Sequence, residues 1–411
     1  MSSHDPSLLI LLVGSNPLPN YLSACALRPR EIALVYTKET SDAKDRLKRE
    51  LSRALGDATS FVAPDPFVED ATCATAVRRA FDGLDWSTSA DVDGHSESSL
   101  LLNYTGGTKV MAAHARMAFM AGRGRPEYAS YLDEGGEGRP PRLRFDDGNS
   151  KELSGYSSVP LELKTILALH GITYKSRSPK APAPISADAL EILCKVLSDV
   201  PLATALYCER KRLEEPHNPR RLVPEPFRAD RYGLRLSIQK IPTDELLQSL
   251  ANGEERKSWF KQWYGFIGGE WIENWLGQQI QELSLEPKPE VVVGVNAFRG
   301  EKQADLEVDV AVVRDHRSYF ISCTTDTTKP LCKSKLFEVA VRSRHLGGDL
   351  ARAALVCLAN DKMVAALQAD IDDVWGASNT TRVFGVSDIR SWSRCEGREP
   401  NRHSLKVWLE S

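Results

Sequence analysis

LLNYTGGTKVMAAHARMAFM, residues 101–120, decides how the first part of the chain is read. An apolar run ends in Asn103-Tyr104-Thr105, turns on Gly106 and Gly107, and re-enters a helical pattern through Thr108 and Lys109. A strand that leaves through a glycine turn into a helix is the repeating unit of a parallel sheet, and ligands of such sheets sit at strand exits. The glycines let backbone approach a ligand, the helix start presents free amides, Thr105 and Thr108 add hydroxyls, and Lys109 adds positive charge. The set suits a phosphate or another anionic nucleotide group. A tight βα turn with a solvent-facing lysine is the plainer reading, and the residues alone leave both open.

Upstream, SLLILLVG (7–14) and EIALVYT (31–37) read as buried strands. SDAKDRLKRELSRALG (41–56) reads as an amphipathic helix capped by Ser41, with leucines at 47, 51 and 55. VEDATCATAVRRAFDGL (68–84) is a further helical stretch. Apolar strands alternating with helices predict an α/β fold with a doubly wound parallel sheet. The first turn is GSNPLPN and no GxGxxG occurs, which excludes a dinucleotide fingerprint; GGTK lacks the spacing of a P-loop. STSADVDGHSESS (87–99) is a polar excursion, and YASYLDEGGEGRPPRLRFDDG (128–148) predicts a hairpin pairing Tyr131 and Leu132 with Leu143 and Phe145.

The length of 411 residues implies two or three domains, and 42% hydrophobic with 27% charged residues is ordinary for a globular protein. A net charge of -3 gives no global signature of nucleic-acid binding, so such a role needs a local basic surface. Eight cysteines without a CxxC point to reduced thiols and a cytoplasmic location. The run SLLILLVG is too short to cross a bilayer, so no membrane association is expected.

VGSNPLPNYL (13–22) together with NYTGGTKVM (103–111) resembles the CARF domains of CRISPR-associated effectors, over roughly residues 7 to 155. These are Rossmann-like sensors of the cyclic oligoadenylates made by type III CRISPR complexes. The resemblance implies a pocket lined by Ser15, Asn16, Pro17, Thr37, Lys38, Thr105, Gly106, Gly107, Thr108, Lys109 and Met111. It also implies cyclic tetra-adenylate as activator and a homodimer. Two copies of one half-pocket across a twofold axis hold equivalent phosphates in equivalent loops.

The middle of the chain is less informative. LELKTILALHG is followed by ITYKSRSPKAPAPIS (172–186), a basic, proline-rich stretch that reads as a linker. SADALEILCKVLSD and PTDELLQSLANGEE predict helices, and Arg210, Lys211, Arg212, Arg220 and Arg221 form a cluster diluted by Glu209, Glu214 and Glu215. The expected divisions are a sensor domain at 1–160, a helical linker region at 161–254 and an effector domain at 255–411.

In the last part, WYGFIGGEWIENWLGQQIQELS (263–284) predicts a helix with Trp271 and Trp275 on one apolar face and Glu273 on another. PEVVVGVNAFRG is a strand, and QADLEVDVAVVRDHRSYFISCTTDT a hairpin turning at RDHR. KSKLFEVAVRSRHLGG predicts a helix, ARAALVCLA a buried strand, and the tail a helix, a strand, a loop and a final strand. Strand alternation places Glu307 and Asp309 on one face. Paired carboxylates with a third on a preceding helix suit a divalent metal that activates water against a phosphodiester; an exposed polar strand face is the alternative.

The arrangement resembles a PD-(D/E)xK, restriction-endonuclease-like domain over roughly residues 255 to 411. Its family pattern is GGxWxE, then N-E-x-D, then E-C-K-T. The resemblance implies Glu273, Glu307 and Asp309 as ligands of Mg²⁺ or Mn²⁺ and DNA or RNA as substrate. Ser322-Cys323-Thr324-Thr325 departs from it, putting serine for the metal-binding Glu and threonine for the Lys. Lys333 or Lys335, at the start of the next helix, can substitute for the missing amine, with Lys335 as the catalytic candidate. Five arginines of the tail, at 382, 390, 394, 398 and 402, offer a basic surface. The whole reads as a cyclic-oligoadenylate-activated nuclease, or as a ligand-responsive protein that has lost cleavage and binds nucleic acid or a protein partner.

Overall fold

A computed structural model describes residues 6–82, 84, 100–122, 124–135, 139–156, 161–176, 271–299, 306–326, 328–375, 380–393 and 399–411. The expected helices of the middle region and its basic cluster lie outside these residues. Two mixed sheets organise the described chain.

The first sheet is built on β1 (Leu8–Leu12), every residue of which is buried. β2 (Glu31–Thr37) runs parallel on one side, carrying β3 (Ser60–Phe61) and β4 (Phe67–Val68) on its outer edge, and β5 (Leu100–Asn103) runs parallel directly beside β1 on the other. β6 (Ala129–Asp133) continues in parallel, and β7 (Arg142–Phe145) and β8 (Ser150–Glu152) add antiparallel strands. The predicted hairpin is present in register, with Leu132 opposite Leu143 and Ser130 opposite Phe145. Helices α1 (Leu18–Leu27), α2 (Ser41–Leu55), α3 (Ala74–Asp82) and α4 (Lys109–Gly122) cover the sheet. Ser41 is the first helical residue and not the expected cap. A short turn at Lys38–Thr40 precedes it, closed by the Thr37 amide on the Thr40 hydroxyl at 2.9 Å. The chain passes from β1 to β2 on one side and later to β5 on the other, so the topological switch lies between β1 and β5.

The second sheet runs β14-β13-β12-β11-β10-β9. Its centre is the hairpin of β11 (Leu306–Arg314) and β12 (Arg317–Thr324), closed at Asp315, whose φ of 55° is left-handed. β10 (Glu290–Phe298) is antiparallel to β11, whereas β13 (Ala351–Cys357) and β14 (Thr381–Phe384) continue from β12 in parallel. α6 (Trp271–Gln281) buries Ile272, Trp275, Leu276 and Ile280 on one face of the sheet. α7 (Lys329–Gly347) buries Cys332, Leu336, Val339 and Ala340 on the other, and begins four residues before the sequence pattern suggests.

Three expectations are corrected. Thr173–Ser176, read as linker, is β9, the edge strand antiparallel to β10; Ile172 is buried beside it, and the prolines begin only at Pro179. The loop and final strand of the tail are the helices α9 (Val386–Trp392) and α10 (His403–Glu410), after α8 (Asp361–Trp375). In α10 the buried Leu405, Trp408 and Leu409 are spaced three and four apart, a helical stripe.

The halves share one apolar core. α5 (Leu163–Leu169) packs on α2 of the first and on α7 and β11 of the second, burying Leu163, Ile166, Leu167 and Leu169. Its neighbour His170 meets the Leu346 carbonyl at 2.8 Å. No helix of the described residues is long and apolar enough to cross a membrane.

Candidate functional site

The carboxyl ends of β1, β2 and β5 lie side by side, with Leu12 opposite Val35 and Leu11 opposite Asn103. The turns leaving β1 and β5 therefore meet in the crevice at the switch point. They are pressed together: a Cβ on Gly106 would lie 1.9 Å from the Leu12 carbonyl oxygen, and one on Gly14 would lie 3.0 Å from the Gly107 nitrogen. Gly107 also has φ of +76°, where a side chain is strained. Thus the glycine pair is required by packing as well as by turn geometry.

Both threonine hydroxyls of the motif serve the frame. Thr105 donates to Asn103 Oδ1 and accepts the Leu132 amide, each at 2.7 Å, tying the turn to β6. Thr108 caps α4, accepting the Met111 amide at 3.1 Å while donating to the Ala71 carbonyl at 2.9 Å. Met111 is buried beneath Gly107, so it supports the turn and does not face the crevice. Pro17 and Thr37 are also buried, whereas Ser15, Lys38, Gly107, Thr108 and Lys109 are exposed. Asn16 is half-buried and holds the Leu18 amide at 3.1 Å. What this edge presents to solvent is therefore a helix start, Gly106 and Gly107 backbone, Ser15 and two lysines.

Sequence reasoning missed two residues that hold this edge. Asn20, fully buried on α1, donates to the Leu12 carbonyl at 2.9 Å. Asn103, fully buried at the end of β5, receives Thr105 and reaches Ser130 at 3.3 Å. An asparagine within an otherwise apolar segment is the available signal, because burying an amide is costly and marks a position where at least one of its hydrogen bonds is used. The Nδ2 of Asn20 is used in this way, although its buried Oδ1 has no partner among the described residues.

In the second half the β11–β12 ladder reaches Val310 opposite Ile321, and the next residue, Asp309, turns its carboxylate onto β12. Asp309 Oδ2 accepts the Cys323 amide at 2.6 Å and the Ser322 hydroxyl at 3.1 Å. Lys335 of α7 reaches the Cys323 carbonyl at 3.4 Å. Glu273 is buried on α6. Burial pushes the Cys323 thiol far up, with Asp309 and Glu273 raising it further and Lys335 opposing them. Asp309 and Lys335 thus meet at Cys323, whose buried, protonated thiol is inert and no nucleophile.

The other expected residues do not gather there. Glu307 is exposed, and its backbone carbonyl accepts Arg342 at 3.0 Å. Lys333 pairs with Asp370 of α8 at 3.1 Å, so of the two substitute lysines only Lys335 faces the site. Thr324, in the place of the family lysine, receives the Asp326 amide at 3.2 Å. The expected metal set of Glu273, Glu307 and Asp309 is not assembled: no group of three His, Cys, Asp or Glu side chains among the described residues is placed to hold a metal. Two carboxylates, one of them already accepting two hydrogen bonds, and a neutral serine do not fit a resident divalent ion. Of the tail arginines, Arg402 is held by Gln279 and Glu282, Arg382 and Arg390 are exposed, and Arg394 and Arg398 lie outside the described residues.

The molecule is thus a two-sheet α/β protein with two interlocked glycine turns at the strand exits of one half and Asp309 and Lys335 meeting at Cys323 in the other. Its fold matches Can2 from Sulfobacillus thermosulfidooxidans in complex with cyclic tetra-adenylate, with a TM-score of 0.59 and 16% identity, over 98% of this chain and 99% of that one. It also matches the crystal structure of protein VC1899 from Vibrio cholerae, with a TM-score of 0.61 and 16% identity, over 98% of each chain. At these identities the likeness shows a common fold. No protein-family model and no curated protein matches the sequence.

Proposed function

We propose that the chain is a cyclic-oligoadenylate-responsive effector of type III CRISPR defence, acting as a homodimer, with cyclic tetra-adenylate as its activator. The observation that carries this reading is the pair of interlocked turns at the switch point. They offer the Gly106–Lys109 helix start, Ser15, Lys38 and Lys109 on the fold shared with a protein solved with that ring. A helix start with nearby lysines favours phosphate oxygens. A fourfold ring presents equivalent phosphates to two equivalent crevices, which is the reason for a twofold dimer.

For the second half, the meeting of Asp309 and Lys335 at Cys323 supports an ancestry in nuclease chemistry. The reading favoured here is nevertheless ring-dependent binding of DNA or RNA without cleavage. Asp309 accepts two internal hydrogen bonds, and Ser322 and Thr324 supply neither the charge of a metal ligand nor that of a catalytic lysine. Metal-dependent cleavage is the second reading, favoured by Lys335 reaching the site from α7.

The separating experiment incubates the full chain with cyclic tetra-adenylate, Mn²⁺ and labelled single- and double-stranded DNA and RNA. The expected result is ring-dependent retention of an intact probe. Cleavage that disappears in Asp309→Ala and Lys335→Ala would replace it with the nuclease reading. A chain indifferent to the ring in every assay would remove both.

A further inference from the structure

α7 spans the second half from one candidate site to the other. Near its start, Lys335 reaches Cys323 beside Asp309. At its end, Gly347 packs against Ser318 and Ala351, and the turn Gly348–Leu350 meets the first half. There the carboxylate of Glu134, one residue past the end of β6, lies against Gly348, and its buried Oε2 has no hydrogen-bond partner among the described residues. A Cβ on Gly348 would lie 2.9 Å from Asn16 Nδ2 and 3.3 Å from Glu134 Oε2, and Gly348 has φ of +60°. A side chain is thus excluded there both by conformation and by two side chains from the first half. Arg317, at the foot of the β11–β12 hairpin, closes the same junction by donating to the Arg139 carbonyl at 3.1 Å.

Asn16 belongs to the turn after β1, whose Gly14 lies against Gly107. The Gly106–Gly107 backbone, that turn, Asn16 and Gly348 thus form one line of close contacts from the first half to the end of α7. A packed helix moves as a body, because close-packed interiors accommodate discrete shifts and not gradual deformation.

Resting on the sensor reading above, we infer that the contact of Glu134 and Asn16 with the turn Gly348–Leu350 is the regulatory joint of this protein. It holds α7, and with it Lys335, in a resting position until a ring in the crevice releases it. The ring must therefore work against the joint, and a broken joint makes the ring bind more tightly.

The test uses the full chain as wild type, Glu134→Ala and Glu134→Gln. It measures affinity for cyclic tetra-adenylate by calorimetry and hydrogen exchange of α7 with and without the ring. In wild type the ring is expected to change exchange in α7. Glu134→Ala is expected to bind the ring at least about fivefold more tightly, the lower end of common coupling strengths. In that variant α7 exchange is already shifted and no longer responds. Glu134→Gln keeps a side chain of the same length against Gly348, and it is expected to bind the ring no more tightly than wild type and to keep the α7 response. Wild-type affinity and a wild-type α7 response in Glu134→Ala would overturn the joint, as would weaker binding. Ring binding to wild type with α7 unchanged would overturn the joint while leaving the sensor reading standing. Absence of binding to wild type would overturn both.

Discussion

Glu134→Gln is predicted to stabilise the fold in a strictly pH-dependent way. Burial, and then the charge of Asp349, pushes the Glu134 carboxyl up to about 7 from an ordinary 4.5; the Asp349 and Leu350 amides and Arg317 pull it back only in part. The unfolded chain releases this proton near 4.5 and the folded chain near 7, so in between the folded state binds more protons. Stability contributed by this group is therefore present below about pH 4.5 and lost as pH rises through 7. A shift of about 2.5 units at 1.36 kcal/mol each gives a loss of about 3 kcal/mol across that window. Glutamine carries no such charge. Its advantage over glutamate should grow by about 3 kcal/mol between pH 4.5 and 7 and stay constant on either side. Urea unfolding of both proteins by tryptophan fluorescence measures this, since Trp275, Trp392 and Trp408 report on the second half. Two unfolding profiles that run parallel from pH 4.5 to 8 would refute the burial of Glu134 as an uncompensated acid.

His170 carries the opposite slope. Burial pushes its imidazole down to about 4 from 6.5, so its stability contribution is present above 6.5 and lost as pH falls through 4. In wild type the two groups oppose each other between about pH 4.5 and 6.5, and Glu134→Gln should expose a profile rising by about 1.4 kcal/mol per unit there. A further His170→Gln in that background should flatten it. Gly106→Ala places a methyl 1.9 Å from the Leu12 carbonyl. It is expected to abolish ring binding through displacement of the turns, which calorimetry reads, whereas Ser15→Ala at an exposed position should fold normally. Asp309→Ala strips the acceptor from the buried Cys323 amide and from Ser322. Its thermal midpoint should fall by the equivalent of about 1–3 kcal/mol whether or not the chain cleaves anything.

The first half was legible because its strands are continuous apolar runs and its turns are marked by glycine. SLLILLVG, EIALVYT and NYTGGTK give the strands, their exits and the switch point without reference to distant residues. The roles of Thr105 and Thr108 were not legible. A hydroxyl beside a glycine turn serves a ligand or the frame equally well by composition, and only the positions of Leu132 and Ala71 decide. In the second half the RDHR hairpin was plain, but β9 was hidden. An edge strand of four residues carries little periodicity, and its partner β10 lies over a hundred residues away in sequence. The tail helix α10 was misread because KVWLE has strand-forming residues, while the stripe of Leu405, Trp408 and Leu409 needs a helix to bury it. The junction of Glu134 with Gly348–Leu350 joins segments that share no motif and was invisible to any local reading.

The central claim is that the crevice at the switch point senses a cyclic oligoadenylate. A calorimetric titration of cyclic tetra-adenylate into the full chain, beside Lys109→Ala, tests it most directly. Lys109 is exposed at the first position of α4, so its loss should leave thermal stability unchanged. The account predicts saturable binding of one ring per two chains, weakened in Lys109→Ala and by added salt. No binding by the wild-type chain, or binding indifferent to Lys109, would contradict it.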